Sequence, residues 1–327
     1  MGRGAYEHNY VALNLPELRA PYHGTAPVPI PFHYERPAEP AEVEVALYCG
    51  DNLGLAAWLH DQNHRYRVIY IDPPFNSGKA YRARVDGSRG RRSARVPAYA
   101  DGRDLDDYLH WIEPRLRHCY DLLANDGTLY VHLDWHTVHY VKVLLDRIFG
   151  RERFLNEIIW CYHGPSPITS AFNRKHDTIL VYTRSKDYYF DADAVRIPYD
   201  PSTIKTFRSS PRAGFGKVPD LDRGKVPEDW WYFPVVARLH GERIGYETQK
   251  PLALLQRIIG ASSAPGDSVL DLFAGSGTTG VAAASLGRSA VLADSNPLAI
   301  EKALVRLGRL DPRPDVSVWR TADEARD

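Results

Sequence analysis

Asp72, Pro73, Pro74 and Phe75 follow directly on a short run, Arg67 to Ile71, that is rich in Val, Ile and Tyr. Such a run reads as a buried strand, and two prolines end its ladder and stiffen the backbone. The Asp72 carboxylate and the Pro73 carbonyl then become two rigid acceptors at the strand's C-terminal edge, where ligands sit in open α/β sheets. Two fixed acceptors suit the two hydrogens of an exocyclic amine on a planar base. The lone pair of such an amine is delocalised into the ring, and hydrogen bonds to both hydrogens favour the tetrahedral form that attacks an electrophilic methyl. Phe75 offers a stacking face. Base–aromatic stacking contributes about 1–3 kcal/mol, comparable to the few kcal/mol needed to extrude a base from a duplex.

A second chemical segment lies 200 residues on. Ser268 to Phe273 reads as a buried strand, and Gly275, Gly277 and Gly280 form G-x-G-x-x-G ahead of a helix-compatible run. Glycines allow a tight turn and close approach to a ligand, and a helix N-terminus offers unpaired N–H groups. Ser289 to Asp294 reads as the next strand. Its terminal acid lies about 20 residues after the first glycine, where it can take ribose hydroxyls. No Lys-Ser or Lys-Thr follows Gly280, so this is not a P-loop. A nicotinamide-dependent oxidoreductase carries the same loop, but too little sequence follows Gly280 for its remaining strand–helix units. The sheet is therefore expected to be completed by upstream strands, as a permuted α/β domain.

With both segments in hand, the chain resembles the β-class, circularly permuted amino-methyltransferases that act on DNA, a group that includes the modification subunits of type III restriction systems. In that family a D/N/S-P-P-Y/F/W motif precedes the target-recognition region, and F-x-G-x-G follows it. The similarity runs from about Val45 to Leu307 and includes Leu47 to Leu53, Tyr246 to Leu252, Arg257 to Ile259, Pro265 to Asp267, Gly287-Arg288 and Asp294 to Pro297. It implies a Rossmann-like sheet that binds S-adenosyl-L-methionine, with an inserted target-recognition region. It places Asp51 near the cofactor's adenine and Thr248 and Lys250 near its methionyl end. Asp271, Phe273, Ala274, Gly275, Ser276, Gly277 and Thr278 line it, and Asp294 holds its ribose. Asp72, Pro73, Pro74 and Phe75 become the catalytic set. Phe75 replaces the commoner Tyr and keeps the stacking face. Asp72 leans the expectation towards adenine N6, with cytosine N4 as the alternative; RNA, a protein glutamine amide and hydride transfer are more distant ones. Double-stranded DNA is the implied partner, together with a homodimer and a cognate restriction endonuclease. A cytoplasmic, nucleoid-associated setting in a bacterium, archaeon or phage is the implied location.

Around these motifs, residues 1–41 form a proline-rich arm and 42–162 the catalytic half. Residues 163–245 are the expected insert, and 246–327 the cofactor half. The net charge is zero, so any contact with nucleic acid rests on local clusters. Lys79, Arg82, Arg84, Arg89, Arg91, Arg92 and Arg95 fall in a Gly/Ser-containing stretch, 76–102, read as a basic loop beside the catalytic motif. Lys205, Arg208 and Arg212 add charge to the insert, where basic side chains would track phosphate. Trp230 to Phe233 reads as a packed aromatic cluster. Asp104 to Ala124 has helical periodicity and Asn125-Asp126-Gly127 reads as its end; Thr128 to Leu133 is a strand and Thr137 to Phe149 a second helix. His132 and Asp134 sit where a general base would, but the amine needs no strong base, so both are expected to be structural. Cys49, Cys119 and Cys161 are too dispersed for a zinc cluster and odd in number for a disulfide framework, so no metal is expected. No stretch has the length of a membrane span or the pattern of a signal peptide.

Overall fold

The computed structural model describes residues 27–29, 43–85, 94–209, 219–236 and 241–321, with the backbone alone described for 27–29, 79–101 and 321. Arg89, Arg91, Arg92, Arg212 and most of the proline-rich arm lie outside the described residues. From the arm, β1 (Pro27–Pro29) is described. β2 (Glu44–Cys49), α1 (Asn52–Asp61) and β3 (Tyr66–Ile71) follow. β4 (Lys79–Val85) and β5 (Ala94–Asp101) come next, then α2 (Leu105–Leu122), β6 (Leu123–Leu133) and α3 (Val138–Phe149). β7 (Phe154–Cys161), β8 (His176–Thr183), α4 (Pro201–Ser209) and β9 (Trp230–Tyr232) lead to the late half. That half contains α5 (Leu252–Ser262), β10 (Ser268–Asp271), α6 (Thr278–Ser285), β11 (Ser289–Asp294), α7 (Pro297–Leu307) and β12 (Asp315–Thr321).

Among the described residues, ten strands form one sheet in the order β1-β12-β2-β11-β10-β3-β6-β8-β7-β9. The late strands β10 and β11 sit between the early strands β2 and β3, all four parallel. This is the permuted arrangement the motif order implied. The central strands are apolar on both faces, as a doubly covered parallel sheet requires. Val68 and Tyr70 of β3 pack with α5, α6 and α7, while Ile69 and Ile71 pack with α1, α2 and α3. Among the described residues, no helix is long and apolar enough to cross a membrane.

Three elements differ from the sequence reading. The basic stretch 76–102 contains an antiparallel pair, β4 with β5, where a loop was expected. Tyr81, Val85, Val96 and Tyr99 are strand-favouring residue types, a signal that the flanking Gly and Ser obscured. Asn125-Asp126-Gly127 lies within β6, which starts at once after α2 and absorbs those residues at an irregularity in its pairing with β3. Within 163–245, read as an insert, β8 and β9 join the main sheet, although the β8 strand itself is legible in the sequence over Thr178 to Thr183. Trp231 is buried in the core there, and its neighbours Trp230 and Tyr232 are exposed.

Gly280 lets α6 lie close on β11, because a Cβ there would stand 2.4 Å from Leu292 Cδ1. Gly280→Ala is expected to destabilise the protein by about 1–3 kcal/mol through overpacking. Chemical denaturation measures this.

Candidate active site

β10 and β3 are hydrogen-bonded in parallel, with Val269 opposite Val68 and Leu270 opposite Ile69. Their C-terminal ends therefore open on one edge of the sheet. The helices that follow diverge, α6 to one face and α2 to the other. A crevice at such a switch point is the usual ligand site of an open α/β sheet.

The loop after β10 is held by two carboxylates and one arginine. Asp271, 2 % exposed, accepts from the Phe273 amide at 2.9 Å and the Thr279 hydroxyl at 2.5 Å. Asp294, at the end of β11, accepts from the amides of Gly275 and Asn296, both at 2.8 Å. From α7, Arg306 donates to the Ser276 carbonyl at 3.0 Å and the Thr278 hydroxyl at 2.7 Å. Gly277 turns the chain with φ +75°, and a Cβ there would meet Ala303 at 2.4 Å. Burial pushes the Asp271 carboxyl up to about 7 and that of Asp294 up to about 6, against the hydrogen bonds that favour their charged forms.

A cavity of about 270 Å³ lies over this loop. Of the residues expected at the cofactor, Asp51, Thr248, Lys250, Asp271, Phe273, Ala274, Gly275, Ser276, Thr278 and Asp294 all line it. Gly277 does not, and shapes the turn beneath. Asp72 and Pro74 also reach the wall. Pro73 is buried, and Phe75 is half-buried with its ring centroid 5.6 Å from that of His132.

Several lining or supporting residues were missed in the sequence. Asp51 is fixed by Arg115 of α2, which donates to it at 2.9 Å and to the Asn52 side chain at 2.7 Å. Asn52 in turn donates to the Leu272 carbonyl at 2.6 Å. Trp111 stacks under the Arg115 guanidinium at 4.4 Å and that of Arg103 at 4.6 Å, and meets Phe273 edge-on at 5.8 Å. The signal available was an aromatic and a cation one turn apart on α2. Arg103 also marks the neck of the β4–β5 pair. Asn76 bonds the Arg103 backbone twice, accepting from its amide at 2.6 Å and donating to its carbonyl at 3.0 Å.

Asp72 is an unusual carboxylate. Its Oδ2 pairs with the Lys250 ammonium, whereas its Oδ1 is buried and accepts no hydrogen bond. Behind it lies His132, 0 % exposed, with Nδ1 3.6 Å from Asp72 Oδ1. The structure thus brings His132 against the Asp-Pro-Pro-Phe motif, a contact that the sequence reading did not foresee. Asp134 instead accepts from the His136 amide at 2.9 Å and shapes the turn into α3.

The basic residues divide. Lys79, Arg82, Arg84 and Arg95 lie on β4 and β5, which leave the sheet edge beside Asp72. Lys205 and Arg208 are exposed on α4 and do not line the cavity. Among the described residues no group of His, Cys, Asp and Glu has the arrangement to hold a metal ion.

The raised Asp271 and Asp294 carboxyls bind protons more tightly in the folded chain than in the unfolded one. Their stabilising contribution is thus complete at low pH and is lost as pH rises from about 4 through about 7. Asp271→Asn, which carries no charge to bury, is expected to destabilise the protein less at pH 8 than at pH 5. Denaturation at both pH values measures the difference.

Comparison with known proteins bears on this geometry. The model of the DNA methylase family (N6_N4_Mtase) matches residues 66–304. The chain is 33% identical over 241 residues to the type II methyltransferase M.HpaI of Haemophilus parainfluenzae, covering 73% of this chain and 67% of that one. It is 29% identical over 245 residues to the DNA adenine methyltransferase YhdJ of Escherichia coli K12, covering 73% and 75%. The solved structure of M1.HpyAVI with SAM shares its fold, with a TM-score of 0.54 at 20% identity, covering 81% of this chain and 100% of that one. The model match spans both the early and the late motif of the crevice, and on that ground the chain belongs to the DNA methylase family.

Proposed function

We propose that this DNA methyltransferase transfers the methyl group of S-adenosyl-L-methionine to N6 of an adenine extruded from double-stranded DNA. The observation that carries the reading is the open Oδ1 of Asp72, a buried acceptor beside a cavity built on a glycine loop. A buried acceptor without a donor costs about 1–3 kcal/mol, so a substrate N–H arriving there gains more than a solvated pair would.

The cavity wall fits the cofactor. Trp111 and Phe273 make an aromatic end, with Asp51 beside them to accept from an adenine amine. Asp294 keeps a second lone pair on each oxygen for ribose hydroxyls. Thr248, Lys250 and the Ser276–Thr278 turn suit a methionyl carboxylate. Bound there, the cofactor supplies a sulfonium methyl, a strong electrophile that needs no metal or acid to activate it.

The chain's own residues then position the nucleophile. Asp72 Oδ1 and the Pro73 carbonyl each take one hydrogen of the base amine, and Phe75 flanks the ring. The basic β4–β5 pair, rising beside the motif, would follow the DNA backbone. Adenine is supported by Asp72 and by the similarity to YhdJ, a DNA adenine methyltransferase. Cytosine N4 is the second reading, favoured by the breadth of the matched family. A homodimer and a partner endonuclease remain proposals of the resemblance.

Nucleoside mass spectrometry of unmethylated DNA, incubated with the protein and S-adenosyl-L-methionine, is expected to show N6-methyladenine; N4-methylcytosine would select the second reading. Asp72→Ala is expected to lower methyl transfer by about 100-fold or more, with cofactor affinity within a few-fold by calorimetry. Arg115→Met is expected to do the reverse, weakening cofactor binding about tenfold through a loosened Asp51, equivalent to about 1.4 kcal/mol.

A further inference from the structure

Among the described residues, β4 and β5 form a two-stranded sheet of their own, apart from the main one. Such a ribbon is marginally stable alone in water, so contact with a partner stabilises it. Its root is firm. Asn76 holds both backbone polar groups of Arg103, and a Cβ on Gly102 would stand 3.3 Å from the Gly78 Cα. The ribbon therefore leaves the sheet edge as a unit, and β4 begins four residues after Phe75. Register sorts its residues by face. Lys79 stands opposite Asp101, Tyr81 opposite Tyr99, Arg82 opposite Pro97, Ala83 opposite Val96, Arg84 opposite Arg95 and Val85 opposite Ala94. Opposed residues share a face, and faces alternate along a strand. Arg82, Arg84 and Arg95 thus fall on one face, and Tyr81, Val85, Val96 and Tyr99 on the other. The register shift beside Tyr81 and Arg82 leaves Ala98 as an extra residue. Without it Arg95 would stand opposite Val85, on the apolar face. Asp101 is the one acid of the two strands, and it lies at the root on the face away from the arginines. Like charges directly opposite destabilise a strand pair. The ribbon nonetheless sets Arg84 against Arg95 with none of its own acids on that face, an arrangement that acceptors from outside would relieve.

Resting on the methyltransferase reading above, we propose that the arginine face of this ribbon enters the major groove beside the extruded base and reads guanine in the flanking sequence. A major groove about 12 Å wide admits a two-stranded ribbon, whose strands lie about 4.8 Å apart. Guanine presents two acceptors there, O6 and N7, and the planar guanidinium fork matches both at once. A phosphate asks only for positive charge, which lysine also supplies, whereas reading guanine asks for the fork. Register gathers three arginines on one face and leaves Lys79 at the root of the other, which suits the second task. Recognition then falls partly to this ribbon and not to 163–245 alone, where β8 and β9 are built into the main sheet.

The test uses the full chain, S-adenosyl-L-methionine and a pool of duplexes with randomised bases around the methylated one, and the methylated products are sequenced. The wild type is expected to prefer guanine at one or more flanking positions. Arg84→Lys and Arg95→Lys keep the charge and lose the fork. Each is expected to lower that preference about tenfold, while the salt dependence of DNA binding stays as in the wild type. Unchanged cofactor affinity by calorimetry shows that each variant is folded. Putting 7-deazaguanine, which lacks the N7 acceptor, at the preferred position is expected to slow the wild type by a similar factor and the lysine variants hardly at all. A wild type with no guanine preference, a preference that survives in both lysine variants, or one indifferent to 7-deazaguanine overturns the groove reading alone. So does an Arg84→Ala protein that binds all sequences equally more weakly with a salt slope shallower by about one, which is the behaviour of a phosphate contact. A wild type that binds cofactor and methylates no DNA overturns the functional reading instead.

Discussion

The parallel pairing of β10 with β3 is the constraint on which the site depends. One strand delivers the glycine loop and the other delivers Asp72, from segments about 200 residues apart in the chain. Their hydrogen-bonded register aligns Val269 with Val68 and Leu270 with Ile69, so both motifs leave the sheet at nearly the same height. A slip along this ladder would separate the glycine loop from Asp72. The helices on either side exist to make that register costly to change. They bury alternate residues of β3 on opposite faces, and a one-residue shift would exchange the two sets.

The second theme is charge kept in a small space. Asp72, Asp271 and Asp294 all reach one cavity, and Asp177 lies just behind it. Each has a separate compensation. Asp271 and Asp294 are satisfied by backbone amides and a hydroxyl. Asp72 has Lys250, and Asp177 has His132 and Tyr162. Asp271 spends its acceptors on the loop, Asp72 keeps one oxygen that accepts nothing within the fold, and Asp294 stands between them, bracing two amides with one lone pair still open on each oxygen. Burial raises Asp271 and Asp294 towards neutrality, where they cost least.

Much of this was legible in the sequence because the chemistry is local. The strand ending at Asp294 was readable to the residue, since small and apolar residues run uninterrupted from Ser289 into an acid. The glycine loop and the Asp-Pro-Pro-Phe motif declared themselves through residues that have few other uses together. Long-range partners were not legible. Arg115 reads as a polar member of an amphipathic helix, and it is buried only because Asp51 and Asn52 arrive from another element. His132 reads as a lone histidine in a strand; its place behind Asp72 comes from β3 and β6 lying side by side. The β4–β5 pair was hidden for a different reason. Its Tyr and Val residues favour a strand, but charge and glycine content dominated the reading.

The neck between Asn76 and Arg103 couples two regions that would otherwise be independent. A single asparagine side chain grips both backbone polar groups of Arg103, so the two feet of the basic β-ribbon are riveted together at the sheet edge. The Arg103 side chain lies over Trp111, which forms the aromatic end of the cavity. A pull on the ribbon therefore has a short mechanical path to one wall of the cavity, with Asn76 as the pivot.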